Sequence, residues 1–135
     1  MKIFTEWMKD RIQLEFQNQK QDIYSAREML KNAMANMQSN PWKWLGETLP
    51  LAAQKVQGNE QAMRIVSDIQ NLYLRFVSEI KHKNLVAYGR NGSISSPRAP
   101  TQDEYGFKEY QELYHNYYRL MIDVWRGLDD IMSQR

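Results

Sequence analysis

MKIFTEWMKDRIQLEFQNQKQDIYSAREMLKNAMANMQ, residues 1–38, holds neither Gly nor Pro, and the first Pro of the chain is Pro41. Such a stretch predicts one long helix, and two stripes along it decide what kind. At 3.6 residues per turn, Ile12, Phe16, Ile23, Leu30, Ala33 and Met37 line one side in a 4-3 rhythm interrupted by Gln19. Lys2, Lys9, Lys20, Arg27 and Lys31 occupy a neighbouring side, within about 40° of one another. Gln13 and Tyr24 sit among them, and Glu6 lies close by. Asp10, Glu15, Asp22 and Glu28 are expected to point elsewhere. One face therefore suits a protein partner, while the next suits a row of negative charges.

The rest of the 135-residue chain extends this into a single all-α domain with a modest core. No apolar run approaches the ~20 residues of a membrane span. Lys9, Asp10 and Arg11 break any signal-peptide centre, so an intracellular site of assembly is expected. The absence of cysteine removes disulfides and thiol chemistry, and fits either a reducing compartment or a hot one. A net charge of +2 neither demands nor forbids nucleic acid, so the arrangement of charge matters more than its total.

Ser39-Asn40-Pro41 reads as a stop and a new start, with Asn40 as cap and Pro41 at the first helical position. Trp42, Trp44, Leu45 and Leu49 predict a short apolar helix, which Pro50 is expected to interrupt before another turn or two from Leu51 to Val56. The tryptophans suit a core or a neighbouring subunit. After Gln57-Gly58-Asn59, a helix is expected from Glu60 to about Val86. Its buried face is marked by Ala62, Ile65, Val66, Ile69, Leu72, Phe76, Val77 and Ile80.

Residues 89–100, GRNGSISSPRAP, predict a flexible connection, with a glycosylation sequon at Asn91 that lacks a secretory context. Thr101 and Glu104 have capping-box spacing. From there Phe107, Tyr110, Tyr114, Tyr117, Met121, Val124, Leu128 and Ile131 predict one uninterrupted last helix to about Ser133, with a heptad-like seam. Tyr105, Tyr118 and Trp125 are left as interface candidates.

Catalytic chemistry finds little purchase. His82 and His115 belong to no metal-ligand spacing, and no Glu-x-x-His pair lies on the long helices. Asp129 and Asp130 read as solvated charges, and no phosphate-cradling loop or nucleophile elbow occurs. No enzyme activity, cofactor or metal is expected. The basic stripe is the sharper feature. From Lys2 to Lys31 it spans ~44 Å, and such a row can displace counterions from phosphates without reading bases. A solvated face on an amphipathic helix accounts for the same spacing.

Three short pieces carry a family likeness. Tyr24-Ser25-x-Arg27 through Ser39-Asn40-Pro41, the LPLAAQ element from Leu49 to Gln54, and Tyr105-Gly106-Phe107-Lys108 with Leu113 following resemble, in order and approximate spacing, coat proteins of rod-shaped and filamentous archaeal viruses (rudiviruses and lipothrixviruses). The resemblance implies a small four-helix-bundle coat protein whose paired subunits wrap N-terminal arms around double-stranded DNA and hold it in the A form. Arg27 is the matched basic position, and Lys2, Lys9, Gln13, Lys20, Tyr24 and Lys31 join it from the stripe.

The combined expectation is an all-α chain with a helical arm over 1–38 and an antiparallel helix bundle over 39–135. It would package duplex DNA in a virion assembled in the host cytoplasm, through backbone contacts without sequence preference. Its partner subunit would be a second copy or a paralogous coat protein, joined through Ile23, Leu30, Trp42 and Trp44, with envelope contact left open. The alternative is a non-viral adaptor or chaperone that docks partner helices on the apolar stripe and leaves the basic face solvated.

Overall fold

A computed structural model of the chain describes residues 4–89 and 96–133. Among them lie five helices and one small hairpin: α1 (Phe4–Asn36), α2 (Pro41–Lys55), α3 (Glu60–His82), β1 (Ala87–Tyr88), β2 (Pro97–Arg98), α4 (Phe107–Trp125) and α5 (Gly127–Met132). The all-α expectation holds at this level. Helix α1 packs on α2, α2 on α3 and α3 on α4, while α4 and α5 return to α1. The core runs through all five helices, from Ile23, Leu30 and Met37 by way of Leu45 and Ile69 to Tyr110, Met121 and Leu128.

Burial divides α1 into two unlike halves. Ile23 is the first buried side chain, followed by Ala26, Leu30, Ala33 and Met34, with Met37 just past the helix. Residues 5–15 and 17–18 are all exposed. Ile12, assigned above to the same apolar stripe, keeps 61% of its surface in solvent. The expected boundary at residue 38 thus does not coincide with the change in burial, which falls in mid-helix. Ile23 and Leu30, expected to meet a partner subunit, are core residues of their own chain, because α2 and α5 already cover that part of the helix.

Helix α2 starts as its sequence predicts. Asn40 stands in an extended conformation, and its Oδ1 accepts from the Lys43 amide at 2.9 Å, with Pro41 at the first helical position. The same side chain donates through Nδ2 to the Pro97 carbonyl at 3.1 Å, tying the helix start to β2. Pro50 does not interrupt α2, contrary to expectation. It sits on the exposed side, so the backbone group that loses its partner faces water, where the loss is least costly.

Helix α3 stops at His82, short of the expected Val86. Asn84 then takes the left-handed conformation at φ 59°, and the Leu85 amide reaches back to the Ile80 carbonyl. Of the segment expected to be flexible, 89–100, residues Pro97–Arg98 form a strand instead: β2 pairs antiparallel with β1, which ends just before the segment, and Ala87 stands opposite Arg98. The sequon at Asn91 lies outside the described residues.

The Thr101–Glu104 pairing forms, but it closes a turn rather than the start of α4. Glu104 Oε1 accepts from both the amide and the hydroxyl of Thr101 at 2.8 Å, while α4 begins three residues later, after Gly106 at φ +84°. The last helix is also not continuous. A turn at Arg126 separates α4 from α5, where a Cβ at Gly127 would stand 2.8 Å from Ile65 Cδ1. The absent side chain lets α5 approach α3 closely.

The tyrosine seam packs inward. Tyr110, Tyr114 and Tyr117 are buried, the Phe76 ring lies 5.1 Å from Tyr117 and 5.9 Å from Tyr110, and Tyr110 donates its hydroxyl to the Met37 carbonyl at 2.7 Å. Burial pushes the Tyr110 phenol far above its ordinary pKa. Trp125 is likewise core rather than interface, while Tyr118 is half-buried and Tyr105 stands in solvent.

Candidate nucleic-acid interface

Because α1 is one unbroken helix, its basic row keeps its helical spacing. Lys9, Gln13, Tyr24 and Lys31 are exposed and Lys20 is half-exposed; Lys2 lies outside the described residues. From Lys9 to Lys31 the row runs ~33 Å at 1.5 Å per residue. Among the described residues no other helix buries Lys9, Gln13, Tyr24 or Lys31.

Arg27 is the exception. Its Nε donates to Asp129 Oδ1 at 2.6 Å and its Nη1 to Glu28 Oε2 at 2.7 Å. The guanidinium lies 4.4 Å from the centre of the Trp125 ring, whose Nε1 in turn donates to the Arg27 carbonyl at 2.9 Å. Hydrogen bonding to Asp129, against partial desolvation, raises the Arg27 pKa further above its already high value. Arg27 therefore clamps α1 to the end of the chain. Asp129, expected to be merely solvated, is its partner, and Glu28 does not point away from the row. A phosphate arriving here would have to displace two carboxylates.

The neighbouring arginine of the hairpin is engaged too. Arg98 forms two bonds to Glu104, at 2.6 and 3.0 Å, and these hold the Glu104 carboxyl well below its usual range, at about 2. The exposed part of the row outside these pairs is thus Lys9 and Gln13 on the half of α1 that stands clear of the core, and Tyr24 and Lys31 on the half that packs.

Two further features were not apparent from the stripes. Trp7 and Leu14 are 49% and 58% exposed, and their seven-residue spacing puts them on one side of α1, roughly opposite the basic row. Asp10 and Arg11 lie between them, with Arg11 5.3 Å from the Trp7 ring centre. At the far end of the molecule, Trp42, Leu74, Val77, Val86 and Tyr88 floor a groove of about 510 Å³ with Lys81 at its rim. The i, i+7 spacing of Trp7 and Leu14 is the sequence signal that could have found the first. The second needs the hairpin, which no periodicity foretells. Of the tryptophans expected at an interface, Trp42 lines this groove and packs against the core, and Trp44 is half-buried beneath Lys43.

Among the described residues no three His, Cys, Asp or Glu side chains come close enough to hold a metal ion, and no helix is long and apolar enough to cross a membrane. No family model, curated protein or solved structure matches the chain.

Proposed function

We propose that this chain is a structural subunit that polymerises around double-stranded DNA, the role implied by its likeness to the coat proteins of filamentous archaeal viruses. The packed helices serve as the bundle of the coat, and the outer half of α1 serves as the arm. The observation that carries this reading is the exposure of Trp7, Met8, Ile12 and Leu14 within two to three turns of one helix. They fall on two sides of the helix, Trp7 with Leu14 and Met8 with Ile12, and this supports an assembly in which other molecules cover them.

The lysines of the basic row, on a third side of the helix, supply the second half of the proposal. Lys9 and Lys20, repeated along many subunits, neutralise a phosphate backbone without reading bases, so packaging is indifferent to sequence. The A form suits this because its wide, shallow minor groove lets a helix lie across the backbone. Assembly in a host cytoplasm into a virion, with a second copy or a paralogous coat protein as neighbour, completes the reading.

The Arg27–Asp129 pair favours the rival function, a helical adaptor that binds partner helices and no DNA, since it engages the basic position that carries the family likeness. Electron microscopy of the purified chain with and without duplex DNA separates the two. Filaments that form on DNA and dissolve steeply as salt rises are the expected result. A particle that stays small at every DNA concentration and binds amphipathic helices would establish the adaptor instead. The charge-reversing set Lys9→Glu, Lys20→Glu and Lys31→Glu should abolish DNA binding while thermal melting is unchanged. Arg27 is left out of that set because its loss would also loosen the fold.

A further inference from the structure

We infer that the outer half of α1 docks, through Trp7 and Leu14, into the Trp42–Leu74–Tyr88 groove of a second copy, so that subunits join head to tail. The inference rests on the assembly part of the proposed function and is independent of its DNA part.

Position comes first. Ser39 accepts from the Ala99 amide at 3.0 Å, and Asn40 is bonded to Pro97, which itself lines the groove. The groove therefore adjoins the C-terminal end of α1. Trp7 and Leu14 are ~44 and ~33 Å away from Asn36 along an unbroken helix, at 1.5 Å per residue. A rigid helix cannot fold its start onto its own end, so the occupant of the groove is another chain. The two surfaces differ, and a contact between unlike surfaces of identical subunits propagates into a ring or an open filament rather than stopping at a pair.

Chemistry and spacing agree with this placement. Trp7 and Leu14 are two turns apart, ~10.5 Å, the same interval as Leu74 to Lys81 along the α3 wall of the groove. Leu74 is 51% exposed and Tyr88 is exposed as well, so the floor has apolar surface to lose. This is the helix-in-groove mode, in which residues seven apart anchor one face. Charges match locally: around Trp7 and Leu14, Asp10 and Glu15 outnumber Arg11, while Lys81 stands at the rim of the receiving groove. Docking on the Trp7–Leu14 side also leaves the basic row, on the opposite side of the helix, turned outward toward a polyanion.

The test uses two exposed leucines in the full chain. Leu14→Glu spoils the inserted helix and Leu74→Glu spoils the groove; light scattering behind size exclusion reads the mass. Wild type is expected to form a concentration-dependent series of oligomers, and each variant alone to remain a monomer. Equal parts of the two should give a complex of two chains and no larger, since one intact helix meets one intact groove. A mixture that stays monomeric, or a Leu74→Glu chain that polymerises like wild type, overturns the inference. In that second case polymerisation, and with it the coat reading, survives through another surface. A wild type that stays monomeric with and without DNA overturns both. Circular dichroism checks the fold of each variant, and Trp7→Ser with Lys81→Glu provides a second pair subject to the same outcomes.

Discussion

Two halves of α1 obey the same apolar rhythm and meet opposite fates. From Ile23 onward the stripe is sealed under α2 and α5, whereas Ile12, three steps earlier in the same rhythm, stands in water. Periodicity reports which face of a helix favours cover; it does not say whether the cover comes from the same chain. In this molecule the answer changes within about three turns, and the change is what leaves half of a core helix open to the assembly proposed above.

The comparison is broken most forcefully by truncating each half in turn. Leu30→Ala, at a position with no exposed surface, should lower unfolding free energy by about 2–5 kcal/mol in urea denaturation of the isolated chain. Ile12→Ala should stay within about 0.5 kcal/mol of wild type in the same measurement. Equal losses at the two sites would mean that the outer half is covered even in the monomer. A smaller effect is expected at Tyr110→Phe, which leaves the buried Met37 carbonyl without its donor and should cost about 1–2 kcal/mol.

Within the inner half the cations should also differ. Arg27→Met gives up the Asp129 bond and the stacking on Trp125. It should cost about 1 kcal/mol in thermal or chemical unfolding, since Asp129 is itself half-exposed and the pair is screened. Lys31→Met should leave stability unchanged while weakening DNA binding. The reverse ranking would return Arg27 to the DNA-contacting row.

The smallest effect belongs to the hairpin. Glu104 titrates near 2 in the folded chain, below its ordinary value, so its bonds to Arg98 and Thr101 stabilise the fold above that ordinary value. This contribution is lost as pH falls from about 4.5 toward 2. Glu104→Gln should therefore melt lower than wild type at neutral pH, and the two melting curves should converge through that acid window. A gap that persists at pH 2 would assign the difference to something other than the carboxylate.

Much of the helical layout was legible because its signals are local. Asn40-Pro41 and Asn59 mark helix starts by chemistry that acts within three residues, and both caps form. The tyrosine seam was legible because a 3-4 alternation over seven turns has few competing explanations. What escaped depends on partners distant in sequence. Pro50 is tolerated because of where it faces, α5 meets Ile65 closely where Gly127 leaves room beside the break at Arg126, and the hairpin joins β1 to a strand, β2, that Asn40 and the neighbouring Ser39–Ala99 bond tie to the start of α2. The basic row was visible in outline, but Asp129, 102 residues from Arg27, was not foreseeable as the group that would claim one of its members.

Asn40 shows how far a single small amide extends. One end of the planar group fixes where a helix begins, and the other holds a strand 57 positions later in the chain. An aspartate there would keep the acceptor and lose the donor, leaving the helix start capped but the strand held on this side by the Ser39–Ala99 bond alone. The alignment of the groove mouth, which Pro97 helps to line, is thus tied to a helix start, and so is the geometry by which one subunit would receive the next.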